Sequence, residues 1–454
     1  MPPHAASCRL MPPQSATPSY AFATSTALAL EAAFDGGRLT SDGGLPWLAE
    51  AEGAVGICAA LAACVPEWRH AHIQHSIEAL VRQRVFGIAC GDEDQNDADT
   101  LRTDPLLKLV CGRRPESDRD VASQPTMSRL ENAVDRHACL RLAPALVEVY
   151  LQQREGTGAP TSILLDIDST ADPTHGHQEG SAYHAYDGQH MDHPLLIFDG
   201  QPDQLITALL RPGTAHASRG VLSVLRVLIP LLRARWPGVR SELRSASGCA
   251  VPALYEWCER AHVGYTSGLI PNSRLENVAA PLLARAQAQR AATGEKARLM
   301  DETQDQAASW SHPRRVVYKA ETLDDGPHTR VVVTTRADPP AALYEWYVDR
   351  GVMELWIKDD KRACIADRLR DCRFWANQFR LLLLADASCL LDTLRRWLCA
   401  QGYPPLQLDT LRLRLLKVGA RVRELTTRVR LHLASSHPSQ HLWDLLAAAL
   451  HSRE

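Results

Sequence analysis

The order of apolar runs between residues 161 and 269 limits the fold of this 454-residue chain more than any other feature. Short apolar runs bounded by turn residues are typical of buried strands, and longer stretches with a period near 3.6 residues are typical of helices. By these criteria the segment contains three strands, a helix, a strand, a helix and a strand, at 162–170, 193–200, 204–213, 220–235, 239–245, 253–261 and 263–269. This alternation predicts an α/β fold.

The same succession of elements is typical of a ribonuclease-H-like sheet, which is interrupted here by residues 270–340. The interruption has a helical pattern at 275–292 and a predicted hairpin of two strands at 314–321 and 329–336. We therefore predict four regions: a poorly ordered N-terminus at 1–34, a helical region at 35–155, a ribonuclease-H-like domain at 156–375 with a β-rich insertion at about 270–338, and a mixed helical and basic region at 376–454.

Composition restricts the location of the protein more than its function. The net charge of −3 gives no support to nucleic-acid binding, although a basic groove can lie beside acidic patches. No stretch reaches the roughly 18 apolar residues of a membrane span, and the first twenty residues lack the pattern of a signal peptide. The twelve cysteines form no CxxC pair. We expect a soluble, cytoplasmic protein with reduced cysteines and no membrane partner.

One stretch in a helix predicted from 340 to about 361 combines residue types that suit phosphate chemistry. Tyr347, Arg350, Glu354 and Lys361 are spaced so that they share one face of a helix with about 3.6 residues per turn. A carboxylate on such a face can bind a metal ion while the cations hold phosphates. The alternative is a solvated helix face on which Arg350 and Glu354 form an i, i+4 pair.

A second candidate is the segment SQPTMSRLENAVDR at 123–136, which has the signals of a helix start. Ser123 or Ser128 can cap a helix there, and Pro125 suits its first turn. If a short helix and a tight turn precede it, Ser128 and Arg129 belong to the reading helix of a helix-turn-helix motif. An ordinary bundle helix with a polar outer face explains the pattern equally well.

The spacing of Tyr347, Arg350, Glu354 and Lys361 resembles the Y-R-E-K signature of DDE-class bacterial insertion-sequence transposases of the IS Four-like group. Other stretches resemble the thirteen-eighty family within that group and follow the same order: LTSDGG, GDEDQNDADTLRTDP, SQPTMSRLEN, LDIDST with DPTHGHQEG, LRPGTAH, VPALYEWCE, WSHPRRVVYKAE and ANQFRLLLLADA. The resemblance extends from about residue 35 to about residue 400.

This resemblance implies a site of three acidic residues that hold two magnesium ions, for which manganese can substitute. The family's D-x-T motif matches Asp168–Ser169–Thr170, so Asp168 is the expected first acid, and Glu354 is the expected third. Both are expected to bind metal. Asp166 lies on the same side of the strand by period-two alternation, and we interpret it as a supporting carboxylate or a backup ligand.

The second acid is expected after the fourth strand, in a motif of the form L-R-x-D-S-G-F. This chain reads Leu-Arg-Ser-Ala-Ser-Gly-Cys at 243–249, which puts Ala246 at the acidic position. Alanine has no oxygen to offer a metal ion. The aspartate was either engineered away or lost by natural decay, and under both hypotheses we expect a chain that binds transposon ends but cuts poorly.

The resemblance also implies residues that contact DNA. Tyr347, Arg350 and Lys361 are expected at phosphates, with Ser128 and Arg129 in the helical N-terminal DNA-binding region. Trp310 either stacks on an unpaired base or is buried, and Arg314 and Arg315 are candidates for phosphate contact. A basic C-terminal set suits DNA backbone contact, a charged dimer rim or a solvated face, and consists of Arg412, Arg414, Lys417, Arg421, Arg423, Arg428 and Arg430.

The function expected from this resemblance is DNA transposition: recognition of terminal inverted repeats, excision, and strand transfer into target DNA. We expect a homodimer on double-stranded DNA, because two protomers usually bridge two ends, and association with the nucleoid. The alternative from another class is a catalytically inactive DNA-binding protein that acts as a repressor or as a dominant-negative copy.

Overall fold

A computed structural model describes residues 19–22, 28, 30–69, 73–156, 158–324, 326–364 and 369–452. Much of the N-terminal region predicted to be poorly ordered, 1–34, lies outside these residues. Its described part includes two short antiparallel strands, Ser19–Phe22 and Leu30–Ala33.

The elements before the central sheet are mainly helical, as predicted. They are β1 (Ser19–Phe22), β2 (Leu30–Ala33), β3 (Leu39–Thr40), α1 (Leu45–Val55), α2 (Ile57–Cys64), α3 (Ile77–Cys90), α4 (Asp97–Leu101), α5 (Pro105–Val110), α6 (Gln124–Ala133) and α7 (Arg136–Glu155).

The segment that contains the sheet follows. Its elements are β4 (Ser162–Ser169), β5 (Asp172–Pro173), β6 (Ala182–His184), β7 (Gln189–Asp192), β8 (Leu195–Asp199), β9 (Gln204–Leu209), α8 (Val221–Arg235), β10 (Arg240–Ser245), α9 (Pro252–Arg260), β11 (Gly264–Leu269), α10 (Ser273–Thr293), β12 (Ala297–Asp305), β13 (Arg314–Leu323) and β14 (Gly326–Thr334).

The remaining elements complete the chain. They are α11 (Pro340–Val348), α12 (Gly351–Cys364), α13 (Phe374–Ala400), α14 (Leu408–Leu411), β15 (Ala420–Glu424), β16 (Val429–Leu433) and α15 (Gln440–His451).

Eight strands form one mixed sheet in the order β12-β13-β14-β11-β10-β4-β8-β9. β10 is parallel to β4 and β11, whereas β8 is antiparallel to both β4 and β9. All seven elements predicted between 162 and 269 are present with shifts of a few residues at their ends, which confirms the predicted alternation. β4 and β10, at the centre, bring the ends of the first and fourth predicted strands side by side.

The predicted insertion extends the central sheet. The hairpin β13–β14 is present, and β14 pairs with β11 in antiparallel orientation. β12 was not predicted, because its sequence, ARLMDETQD, is rich in charged and polar residues. Such a composition is typical of an edge strand, and β12 is an edge of the sheet.

Two apolar cores lie against the two faces of the sheet. Along β8, Leu195 and Ile197 pack into a core with α8 and α9, whereas Leu196 and Phe198 pack into one with α12 and α13. Alternate residues of a strand point to opposite faces, so an uninterrupted apolar run supplies both cores. The second core also contains residues of α1, α3, α7 and α15, so it unites the regions predicted at 35–155 and 376–454.

No single helix in the described ranges is long and apolar enough to cross a membrane. The helices α1 and α2, which meet at an angle of 67°, together have a sufficient length and composition, and they are the one such pair among the described residues.

Candidate active site

The candidate site lies where β4 and β10 end, beneath the connection from α11 to α12. In the parallel register of the two strands, Arg244 is level with Asp166 and Ser245 is level with Ile167. The next residue of each strand end is therefore Ala246 opposite Asp168. The sequence positions predicted for the first and second acids are neighbours in the sheet.

Asp166 forms a closed ion pair within the sheet. Its carboxylate is fully buried and accepts two hydrogen bonds from Arg244, each of 2.6 Å. Arg244 also donates to the backbone oxygen of Trp346. Gly200 lies so close that a Cβ there would clash with Oδ2 of Asp166. Both carboxylate oxygens are engaged, so the structure gives Asp166 a structural role and does not support its prediction as a backup ligand.

Asp168 lies at the end of β4 and remains partly accessible, with a side-chain exposure of 18%. Its Oδ1 accepts a 2.9 Å hydrogen bond from the Ser169 backbone, and its Oδ2 accepts one of 2.8 Å from Arg350. Burial raises the pKa of Asp168 above its ordinary value, and the Arg350 guanidinium opposes part of that rise.

Arg350 connects the first and third expected acids. Its Nη1 binds Asp168, and its Nη2 donates a 2.8 Å hydrogen bond to Oε1 of Glu354. Glu354 has a side-chain exposure of 60%, so this side of the site is open to solvent. One guanidinium therefore occupies the space between two carboxylates that the sequence places 186 residues apart.

The predicted continuous helix from 340 to about 361 is wrong in one respect. α11 ends at Val348 and α12 begins at Gly351, so Asp349 and Arg350 form a turn between two helices. Glycine is disfavoured in a helix interior by about 1 kcal/mol relative to alanine, which makes Gly351 a weak point in the pattern. The signature residues consequently divide between α11, the turn and α12.

Tyr347 and Lys361 hold backbone near the site. The hydroxyl of Tyr347 donates a 3.2 Å hydrogen bond to the carbonyl oxygen of Ser245, the last residue of β10. A Cβ on Gly268 would lie 2.7 Å from that hydroxyl, so only glycine leaves room for it. Nζ of Lys361 donates a 2.7 Å hydrogen bond to the carbonyl oxygen of Ala171, just beyond Asp168. Both residues thereby position the strand ends.

Ala246 occupies the position predicted for the second acid. It is half-buried, and it precedes the short 3₁₀ turn Ser247–Cys249. Glu242, the nearest acid in β10, is level with Leu164, four residues and roughly 13 Å below Asp168 along the sheet. It forms an ion pair with Arg336 there. No other acid of β10 replaces the missing carboxylate.

The donor set present does not fit a three-carboxylate metal centre. Asp168 and Glu354 supply oxygens, which Mg²⁺ prefers, but Ala246 supplies none, and one oxygen of each acid already pairs with Arg350. Within the described part of the chain, no group of three or more His, Cys, Asp or Glu residues is arranged to hold a metal ion.

Three of the predicted DNA contacts are engaged inside the protein. Trp310 is 8% exposed, its ring meets Tyr255 edge-on at 5.9 Å, and the guanidinium of Arg314 lies 5.3 Å from its centroid. Arg314 itself forms a bidentate pair with Glu259. Arg315 pairs with Glu302 and donates to two backbone oxygens. The structure favours the buried alternative for Trp310 and leaves neither arginine free for phosphate contact.

The predicted helix at 123–136 exists as α6, but its surroundings differ from a helix-turn-helix motif. The preceding helix, α5, ends at Val110, so no tight turn leads into α6. Glu131 of α6 is fully buried and pairs with Arg84 at 2.6 Å. Arg129 is exposed and Ser128 half-buried. These contacts agree with a bundle helix that has a polar outer face.

Arg211 is a site residue that sequence reasoning missed. It is 2% exposed and donates hydrogen bonds to the backbone oxygens of His193, Ala217 and Arg219. The loop that it holds contacts the turn after Ala246, because Cys249 donates its thiol to the Ala217 carbonyl. Burial lowers the pKa of Arg211 to about 10. The only signal in the sequence was its position in the stretch LRPGTAH.

Comparison with known proteins identifies the class. The family model described as Transposase DDE domain group 1 matches residues 22–454, so the chain belongs to this family and is a DDE-type transposase. A search of curated proteins by sequence found no match. Among solved structures, the cryo-EM structure of the piggyBac transposase synaptic complex with hairpin DNA is similar at 10% identity and a TM-score of 0.44, with 92% of this chain and 82% of that chain covered.

Proposed function

We propose that this protein is the transposase of a bacterial insertion sequence in the IS Four-like group and the thirteen-eighty family. Its proposed task is to bind terminal inverted repeats and to carry out excision and strand transfer, and its cleavage is impaired because Ala246 replaces the second acid. One observation carries the proposal: Ala246 lies level with Asp168 at the end of the neighbouring parallel strand, and Arg350 connects Asp168 to Glu354.

The order of the strands supports a ribonuclease-H-like catalytic core. Across the five strands β9-β8-β4-β10-β11, only β8 runs antiparallel to β4. In this arrangement the ends of β4 and β10 meet at one edge of the sheet, and α12 supplies Glu354 above them. A strand-end position is where an acid can reach solvent and substrate while its backbone remains fixed.

An aspartate at 246 would complete a set of three carboxylates with Asp168 and Glu354. Such a set suits Mg²⁺ or Mn²⁺, which supplies activation of the attacking oxygen and stabilisation of the leaving oxygen. In the present chain Arg350 pairs with both remaining acids and offsets one of their two negative charges. Arg350 thereby links the two acids, but it cannot serve as the missing metal ligand.

The test is Ala246→Asp, with Ala246→Asn as a matched control of the same size and no charge. We expect Ala246→Asp to raise Mg²⁺-dependent nicking of a duplex that carries the element's end by about 100-fold or more, because even indirect partners of metal ligands are worth roughly 10- to 100-fold. Ala246→Asn is expected to remain at the level of the parent chain. Equal nicking by parent and Ala246→Asp would contradict the placement of the second acid.

The alternative is a DNA-binding protein without catalysis, and the pairing of Arg350 with both Asp168 and Glu354 favours it. A gel shift on the same duplex, run beside the nicking assay, separates the two functions. A shift with parent and Ala246→Asp, and nicking with neither, would support a repressor or a dominant-negative copy. We also propose that two protomers join two DNA ends. The mass of the shifted complex measures how many protomers and duplexes it contains.

A further inference from the structure

We propose that one face of the C-terminal hairpin β15–β16 is a binding surface for the phosphates of duplex DNA. Three arginines, Arg421, Arg423 and Arg430, define this surface, which we call the arginine stripe. The inference rests on the proposed function, since it assigns to DNA a surface outside the candidate active site.

The stripe follows from the period of the two strands. Along β15, Ala420 and Val422 are buried while Arg421 and Arg423 are exposed. Val422 packs into the core that contains α13, so the opposite face of the hairpin is fixed to the protein. Side chains alternate between the faces of a strand, and the stripe consequently points into solvent as a unit.

The register places like charges opposite each other. Arg423 is the direct cross-strand partner of Arg430, and Arg421 faces His432 in the neighbouring row. Directly opposed residues have Cα atoms only about 4.5–5.5 Å apart, and like charges at this position destabilise a sheet. Solubility alone does not require such an arrangement. An anionic ligand that binds across both strands removes the repulsion.

Among the residues that the structure describes, no carboxylate of the protein itself pairs with these arginines to remove their repulsion. Glu424, at the end of β15, turns to the other side, where it accepts hydrogen bonds from the backbone of Glu116 and from Ser117. The three arginines of the stripe form no ion pair there. By contrast, Lys417 binds Asp42 at 2.7 Å, and Arg412 donates to the backbone oxygen of Ala363. The basic C-terminal set thus separates into internal cations and outward cations.

The shape of the stripe fits a nucleic-acid backbone. Rows of the hairpin are roughly 7 Å apart along the strands, so the Cα atoms of the three arginines fall within a patch of about 5 by 7 Å. A two-stranded ribbon is narrow enough to lie in or along the major groove of B-DNA. Arginine pairs with phosphate through two parallel hydrogen bonds. Contacts of this kind hold the duplex without reading its sequence.

The experiment measures binding of a labelled 30-base-pair duplex of arbitrary sequence, and of one that carries the element's end, between 50 and 200 mM KCl. The variant is Arg423→Gln with Arg430→Gln. The matched control is Arg226→Gln with Arg285→Gln, which removes two exposed arginines from α8 and α10. The urea midpoint of each variant reports whether it folds.

We expect the slope of log affinity against log salt concentration to be shallower by about 2 in the stripe variant. The two substitutions remove two phosphate contacts, and each contact contributes about 0.9 to the slope. At 0.1 M this corresponds to a loss on the order of 10- to 60-fold on both duplexes, so the ratio between them is unchanged. The control is expected to keep the parent slope. The urea midpoint of the stripe variant should not fall, because the substitution removes repulsion across the strands.

Two results would overturn the inference. If the parent binds DNA and the stripe variant binds it with the same slope, the stripe does not contact phosphates, although the proposed function stands. If the stripe variant keeps the parent slope but no longer forms the dimer that the parent forms, the stripe is an interface between two copies of the chain. If the parent binds neither duplex, the proposed function fails, and the inference fails with it.

Discussion

Arg244 and Arg350 each bind an aspartate on the same face of β4, two residues apart, and the two contacts differ in nearly every physical property. The pair of Arg244 with Asp166 is bidentate and buried on both sides, with exposures of 3% and 0%. Arg350 instead divides its two nitrogens between Asp168 and Glu354, and Glu354 is largely exposed. The first contact fixes the sheet, whereas the second can be rearranged at low cost when a ligand arrives.

The largest expected effect comes from breaking the buried pair. Arg244→Ala leaves Asp166 charged, buried and unpaired, and we expect a loss of about 3–5 kcal/mol in the free energy of unfolding measured with urea. In the double variant with Asp166→Ala, the loss should be smaller than that of Arg244→Ala alone, because no charge remains uncompensated. A double variant that is less stable than Arg244→Ala would show that the pair is not the dominant contact.

A smaller effect is expected where Tyr347 passes over the sheet. Gly268→Ala places a methyl group 2.7 Å from the Tyr347 hydroxyl and 3.1 Å from the Ser247 nitrogen. We expect a loss of about 1–3 kcal/mol, since overpacking of this size forces neighbours to move. Combining it with Tyr347→Phe, which removes the hydroxyl, should restore part of the loss. Thermal unfolding measures both, and no recovery in the double variant would argue against this close approach.

The smallest effect is expected for Arg350→Gln, with a change in stability of about 1 kcal/mol or less, because one of its two partners is solvent-exposed. Its signature is in the pH dependence. Burial raises the pKa of Asp168 and Arg350 lowers it, so the variant should raise that pKa further. The folded state then binds a proton more readily than the unfolded state, and stability falls as the pH rises from about 4.

Urea unfolding of parent and Arg350→Gln between pH 4 and 7 measures this slope. A steeper decline in the variant is the expected result, and an identical slope would mean that Arg350 does not control the charge of Asp168. Arg226→Gln, which removes an exposed arginine of α8, serves as a control for removing an arginine.

The fold was predictable wherever a strand is buried on both faces, because runs such as ILLDI in β4 and LLIF in β8 are too short for a helix and too apolar for a surface loop. β12 escaped prediction because an edge strand needs only part of its surface to be apolar. The turn at Asp349 and Arg350 was not predicted, because the helical spacing of the side chains continues through a turn this short. Gly351 was the one residue that indicated a break in the helix.

Motifs nominate the members of the candidate site, but they do not reveal the contacts between those members. Asp168, Glu354 and Ala246 were identified by their motifs, and the register of β4 with β10 places the first and last of these next to each other. The pairing of Arg244 with Asp166 depends on that register, which the sequence alone does not reveal. Trp310 and Arg314 have residue types suited to DNA, but only their packing against Tyr255 and Glu259 shows where they point.

The core that unites the first and last helices has a consequence for synthesis on the ribosome. α1, α3 and α7 emerge first, but their apolar faces pack against α13, which begins roughly 220 residues after α7 ends. At about 5–20 residues per second, the face of α7 waits roughly 10 to 45 seconds for its partner, and the faces of α1 and α3 wait longer. During that interval the nascent chain exposes a surface that a chaperone can bind, and a fragment that stops before α13 retains this exposure permanently.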